Sequence, residues 1–113
     1  MRAQGHGAVE ILVVDDGSTD GTQEVLNRLE QSDGIRWFQR SHGGPARSRN
    51  YGIAAAQGQF IALLDCDDIW LPGKLAAQLA IMRARPDVGL VHTDFEVRFE
   101  DGTLEERVGT IEP

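Results

Sequence analysis

The sequence predicts an α/β domain with a mainly parallel sheet flanked by helices, and three observations carry that expectation. Short apolar runs rich in β-branched residues alternate with stretches at helical spacing. Two of the runs end in clustered aspartates, Asp15-Asp16 and Asp65-Cys66-Asp67-Asp68. Glycine and proline stand where helices should open or stop.

Ile11-Leu12-Val13-Val14 is an unbroken apolar run, which suits a strand covered on both faces. Gly17-Ser18-Thr19-Asp20-Gly21 is turn chemistry, and either Ser18 or Asp20 could cap a helix from about Thr22 to Glu30. Val25, Leu26 and Leu29 share a face of that helix. Ile35 to Phe38 reads as a second strand. Gly43-Gly44-Pro45 opens the next helix, with Pro45 suited to its first position and Gly58 placed to stop it after Gln57. Phe60 to Leu64 reads as a third, buried strand. A helix from about Pro72 to Arg85 follows, ended by Pro86. Val88 to Val91 reads as a fourth strand, with a continuation to Phe99 open, and Asp101-Gly102 as a hairpin turn into a last strand near Leu104 to Val108.

The 113 residues suit a single domain, 1–113, and 41% apolar with 26% charged residues is a globular balance. Eighteen acidic against eleven basic side chains leave a net charge of −7, which argues against a nucleic-acid partner. The single cysteine, Cys66, excludes an intramolecular disulfide and fits a reducing compartment. No apolar run approaches the roughly 18 residues of a membrane span, and Met1 to Gly7 is too polar for a signal peptide. The expectation is a cytoplasmic domain, free or at the cytoplasmic face of a membrane.

In open α/β sheets ligands bind beyond the carboxyl ends of the strands, where both acidic clusters fall. Packing carboxylates at one edge is repulsive unless cations intervene. Their oxygens are hard ligands suited to Mg²⁺ or Mn²⁺, which complete their shells with water and phosphate oxygens. Asp65 and Asp67 are spaced to point to one side of an extended backbone. A bland alternative stands beside this one: single aspartates cap the following turns, Asp68 foremost.

Gly43-Gly44-Pro45-Ala46-Arg47-Ser48-Arg49-Asn50 adds a flexible loop, a helix N-terminus and two arginines. Free N–H groups at such a terminus attract phosphate, and arginine can fork two hydrogen bonds to a phosphate or a base edge. Both arginines could be surface charges on an exposed turn, and Arg47 reads first as one. Arg49 lies one turn from Ile53 on the same face, which brings its stem toward the core. His6, His42 and His92 have no metal-ligand spacing and read as solvated or packed side chains. Trp37 and Trp70 read as core or interface aromatics, Trp70 near enough to the acidic run to line a pocket.

Three stretches together resemble family 2 glycosyltransferases of the GT-A fold. Val13-Val14-Asp15-Asp16-Gly17-Ser18-Thr19-Asp20-Gly21-Thr22 looks like their second-strand signature. Gly43 to Ile53 is similar to their Gly-rich, Ala-Arg-Asn stretch, and Phe60 to Asp68 followed by Pro72 looks like their Asp-X-Asp region. The resemblance spans about residues 9 to 85. It implies a Rossmann-like GT-A nucleotide-binding core that takes UDP or a UDP-sugar and passes the sugar to an acceptor hydroxyl. It further implies that Asp16, beside Asp15 and Gly17, reads the base. Arg49 then lies by base or phosphate and Asp65 by ribose, with Cys66 between the aspartates counted among the nucleotide-binding residues; Gly43, Gly44 and Arg47 are the phosphate-binding candidates that the helix N-terminus offers. Asp67, with Asp65, holds Mn²⁺ or Mg²⁺ on the diphosphate.

The family begins with a strand–helix unit before the Asp-Asp-Gly-Ser strand, whereas only eight residues precede Val9. The expectation is a core lacking that unit and the later acceptor-binding part, so no residue here is assigned as catalytic base. The seam of the absent strand either closes directly or is filled by a second copy in a homo-oligomer. A non-catalytic nucleotide-sugar-binding subunit would use the same pocket. A phosphoacceptor receiver domain with Asp68 as acceptor is the remaining alternative.

Overall fold

The computed structural model describes residues 9–107. They fall into two compact units, one ending at Ile69 and the other beginning at Trp70.

The first unit is built on a parallel strand pair, β1 (Leu12–Asp15) and β2 (Arg36–Gln39), joined by helix α1 (Thr22–Asp33). The register sets Leu12 opposite Arg36 and Asp15 opposite Gln39, so the two carboxyl ends lie at one edge. α1 opens at Gly21 in the left-handed conformation, without a side-chain cap. Ser18 is turned back onto Asp15, and the Asp20 carboxylate instead accepts from the Thr22 hydroxyl at 2.6 Å. Leu26 and Ile35 form the buried apolar centre, while Val25 and Leu29 on the same helix are half exposed.

Helix α2 (Pro45–Ala55) has proline in its first turn, as expected, and packs on β1. The Cβ that Gly52 lacks would stand 3.4 Å from Val14, so glycine there gives the close approach. α2 stops at Ala56, earlier than the expected Gln57, because Ala56 turns to extended backbone. The Gln57 N–H, which a longer helix would use, donates to the Glu10 carboxylate at 2.9 Å. Glu10 also holds Arg36 at 2.5 Å, tying the start of β2 to the end of α2.

The run from Phe60 to Leu64 is not a buried strand: Ile61 and Leu63 are about half exposed at 49% and 56%. A parallel strand needs a neighbour's row of N–H and C=O groups, and among the described residues none pairs with this segment.

The second unit holds helix α3 (Lys74–Ala84) and an antiparallel hairpin of β3 (Phe95–Arg98) and β4 (Leu104–Arg107). Gly73 opens α3, so Asp68 does not cap it. Leu75 is its buried residue, and the Lys74 ammonium lies 4.7 Å over the Trp70 ring. The hairpin turns at Asp101-Gly102 as expected, the Asp101 carboxylate accepting the Thr103 N–H at 2.9 Å; Val108 lies outside the described residues. Val88 to Val91 makes no strand. Val88 N–H closes a turn onto Arg85, and the Val91 carbonyl accepts from the Gln78 side chain.

Candidate functional site

The two acidic clusters, distant in sequence, are both tied to the first half of α2. At the carboxyl end of β1, Asp15 is buried; one of its oxygens accepts the Ser18 N–H at 3.0 Å, which draws the chain into the turn. The other oxygen is buried with no protein partner among the described residues. Gly17 then adopts φ +90°, and a Cβ there would stand 3.3 Å from the His42 backbone nitrogen. Glycine lets the turn after β1 lie against the segment after β2.

Asp16 reaches across to the N-terminus of α2. Its two carboxylate oxygens accept the Gly43 and Gly44 N–H groups at 2.9 and 2.8 Å. A carboxylate at a helix N-terminus meets free amides and a favourable dipole. The Gly44 amide, followed by that of Gly43 and the nearby His42, holds the Asp16 carboxyl below its ordinary value. His42 Nδ1 lies 3.4 Å from the same carboxylate, with its ring largely in solvent.

Around Asp16 a small polar pocket is lined by Arg40, Ser41, Gly43, Arg47 and Ser48. Arg47 is folded against Gly43, where an added Cβ would meet its Cδ at 3.1 Å. Arg40 is held at the other wall by Tyr51, its guanidinium 4.4 Å over the ring, and Tyr51 packs edge-on against Phe38. Ser48 Oγ is buried there, on the Asp16 side of the pocket. Two arginines therefore line the pocket, and the first amides of α2 are taken by Asp16.

One turn further along α2, Arg49 Nη2 lies 2.6 and 2.8 Å from the two carboxylate oxygens of Asp65. Asp65 to Asp68 form a turn, with Asp68 N–H donating to the Asp65 carbonyl at 3.1 Å. Cys66 is exposed and free, and Asp67 and Asp68 are exposed. Among the described residues no three acidic, histidine or cysteine side chains converge as a metal cage.

Of the expected site residues, Asp15, Asp16, Gly17, Gly43, Gly44 and Arg47 thus gather at the β1 edge. Asp65, Cys66 and Asp67 stand on a turn joined to α2 through Arg49. Arg40, Ser41, Ser48, Tyr51 and His42 were not among the expected residues. The helical pattern shows Ser48 one position from Arg47, but no local signal points to Arg40, because its partner Tyr51 comes from another element.

Residues 1–109 match the family described as Glycosyl transferase family 2. The chain belongs to that family. Membership carries the Rossmann-like α/β GT-A fold, with which the parallel β1–β2 pair and its helices agree, and it sets aside a receiver domain built on Asp68. The chain is 38% identical to an uncharacterized glycosyltransferase of Rickettsia felis over 93% of its own length and 17% of that protein. It is 38% identical to an uncharacterized glycosyltransferase of Nostoc sp. over 80% of its length and 29% of that protein. It is 35% identical to the UDP-Glc:alpha-D-GlcNAc-diphosphoundecaprenol beta-1,3-glucosyltransferase WfaP of Escherichia coli, over 71% of its length and 32% of that protein. The chain therefore spans well under half of each of these relatives. No solved structure matches it.

Proposed function

We propose that this family 2 chain binds a nucleotide-sugar, with UDP as the nucleotide, for transfer of the sugar to an acceptor hydroxyl. The observation that carries the reading is the convergence on α2: Asp16 on its first amides and Asp65 on Arg49. A family relative is named for UDP-Glc as its donor, which supports the choice of UDP.

In this reading Asp16 accepts from the ring N–H of the base, held in place by the Gly43 and Gly44 amides. Arg47 and Arg40 face the diphosphate, with the α2 N-terminus adding its dipole. Asp65, beside Cys66, meets the ribose. The donor set fits Mn²⁺ or Mg²⁺: exposed Asp67 offers a hard carboxylate, and such ions take one or two carboxylates and fill the rest with water and phosphate. When bound, the ion supplies charge neutralisation for the departing diphosphate. Asp67 would hold it, and Asp65 would join only by leaving Arg49.

The exposed Ile61 and Leu63 support a homo-oligomer in which a second copy supplies a neighbour to the 60–64 segment. Sedimentation showing a monomer at all concentrations would remove that part of the reading. The free, exposed Cys66 supports a reducing, cytoplasmic setting. No helix of the described residues is long and apolar enough to cross a membrane.

Calorimetric titration with UDP, first in Mn²⁺ and then in excess chelator, tests the site. Binding that vanishes with the chelator is expected. Equal affinity in both buffers would remove the metal, and no binding in either would overturn the nucleotide reading. Consumption of a UDP-sugar by the chain would separate transfer from a purely binding role.

A further inference from the structure

Arg49 does not point into the pocket around Asp16; its guanidinium is spent on Asp65. One nitrogen, Nη2, engages both oxygens of the carboxylate, at 2.6 and 2.8 Å. The residues from Ile61 to Ile69 carry no strand ladder among the described residues, and this pair ties the acidic turn to α2. It also changes the chemistry of the turn. A carboxylate with both oxygens on a guanidinium has its charge largely offset and one lone pair of each oxygen engaged, which makes it a weaker ligand for a hard cation while leaving lone pairs for a neutral donor. Asp67, two residues on, is exposed and makes no hydrogen bond or ion pair among the described residues.

We propose that Arg49 is a positioning residue: it latches the 65–68 turn to α2 through Asp65, withholds Asp65 from a divalent cation, and leaves Asp67 to bind it. Arg49 then acts on the nucleotide site through the turn and not by touching the ligand. The proposal rests on the nucleotide and metal reading above for its cation arm alone; the latch itself is independent of any ligand.

The test uses the full chain and Mn²⁺ alone as probe, with free Mn²⁺ followed by electron paramagnetic resonance. Arg49→Gln frees the Asp65 carboxylate and is expected to tighten Mn²⁺ binding about fivefold, the upper range for loss of a half-exposed ion pair. Asp65→Asn is expected to stay within about twofold of the parent. The double variant returns to the parent value. Arg47→Gln, an equal loss of charge on the same helix, separates this from a general electrostatic effect, and its gain should be smaller.

A ligand-free arm reads the latch directly. Backbone order parameters of residues 65–68 should fall from a rigid value of about 0.85 toward about 0.6 in Arg49→Gln and in Asp65→Asn alike. Both side chains are about half exposed, so neither change removes core packing. Unchanged order in both variants overturns the proposal. So does Mn²⁺ affinity in Arg49→Gln that stays level, falls, or only equals that of Arg47→Gln. A parent chain that takes up neither Mn²⁺ nor UDP overturns the nucleotide reading and with it the cation arm, while the order parameters still decide the latch.

Discussion

The Arg40 guanidinium lies 4.4 Å over the Tyr51 ring. Arg40 follows β2, and its N–H donates to the Asp15 carbonyl at 2.8 Å, so its backbone is fixed at the strand edge. Tyr51, on the second turn of α2, fixes the other end. The stack converts a long, mobile side chain into a wall of the pocket beside Asp16.

Replacing Tyr51 by leucine keeps the apolar bulk and removes the ring face. An exposed cation–π contact is worth about 0.5–1 kcal/mol, so UDP binding should weaken about two- to fivefold. Calorimetry on Tyr51→Leu measures this directly. Affinity equal to the parent would show that Arg40 needs no support to serve the site.

Gly17 makes a second prediction. At φ +90° with a Cβ contact of 3.3 Å to backbone, Gly17→Ala meets both conformational strain and a neighbour that cannot yield easily. Strain of this kind costs about 1–3 kcal/mol. Gly34, at φ +65° with nothing within 4 Å, meets only the conformational part. Urea unfolding should therefore rank Gly17→Ala below Gly34→Ala, and the reverse order would refute the close approach of the two segments.

The pH dependence follows from Asp16. Its folded carboxyl is held below the ordinary value of 3.8, first by the Gly44 amide. In acid the unfolded chain takes up its proton first, so the stabilisation is present above the ordinary value. It is lost as pH falls through the lowered one. Glu10, held by the Gln57 amide and Arg36, acts in the same direction. Circular dichroism between pH 6 and about pH 2 should show unfolding beginning below the usual carboxylate range. Asp16→Asn should flatten that profile, and an identical profile would mean the amide contacts add no stability.

Much of the site could be read from residue order, and the reasons differ by residue. Asp15-Asp16 after an apolar run and Pro45 after two glycines are local signals, and local geometry honours them. The length of α2 was not legible. Ala54, Ala55 and Ala56 all favour helix, yet Glu10, more than forty residues away, takes the Gln57 N–H. The Phe60–Leu64 run has strand composition, but a strand is a property of two segments and its partner is not among the described residues. Arg40 and Tyr51 escape notice for the same reason: their stack exists only once β2 and α2 are in place.

Asp67 carries the last prediction. Of its neighbours on the turn, Asp65 is engaged by Arg49, whereas the Asp68 carboxylate is exposed like that of Asp67. An exposed carboxylate without a partner among the described residues contributes little to folding, so Asp67→Ala should leave urea stability within about 0.5 kcal/mol. Loss of a cation that neutralises a diphosphate removes several kcal/mol of interaction, so UDP binding in Mn²⁺ should fall roughly tenfold or more. In chelator the variant and the parent should be equal. Asp68→Ala, with the same change of charge one residue away, separates ligation from bulk electrostatics: it should lose much less. Equal losses in the two variants would show that the turn attracts the cation by net charge alone, with no ligand among its aspartates.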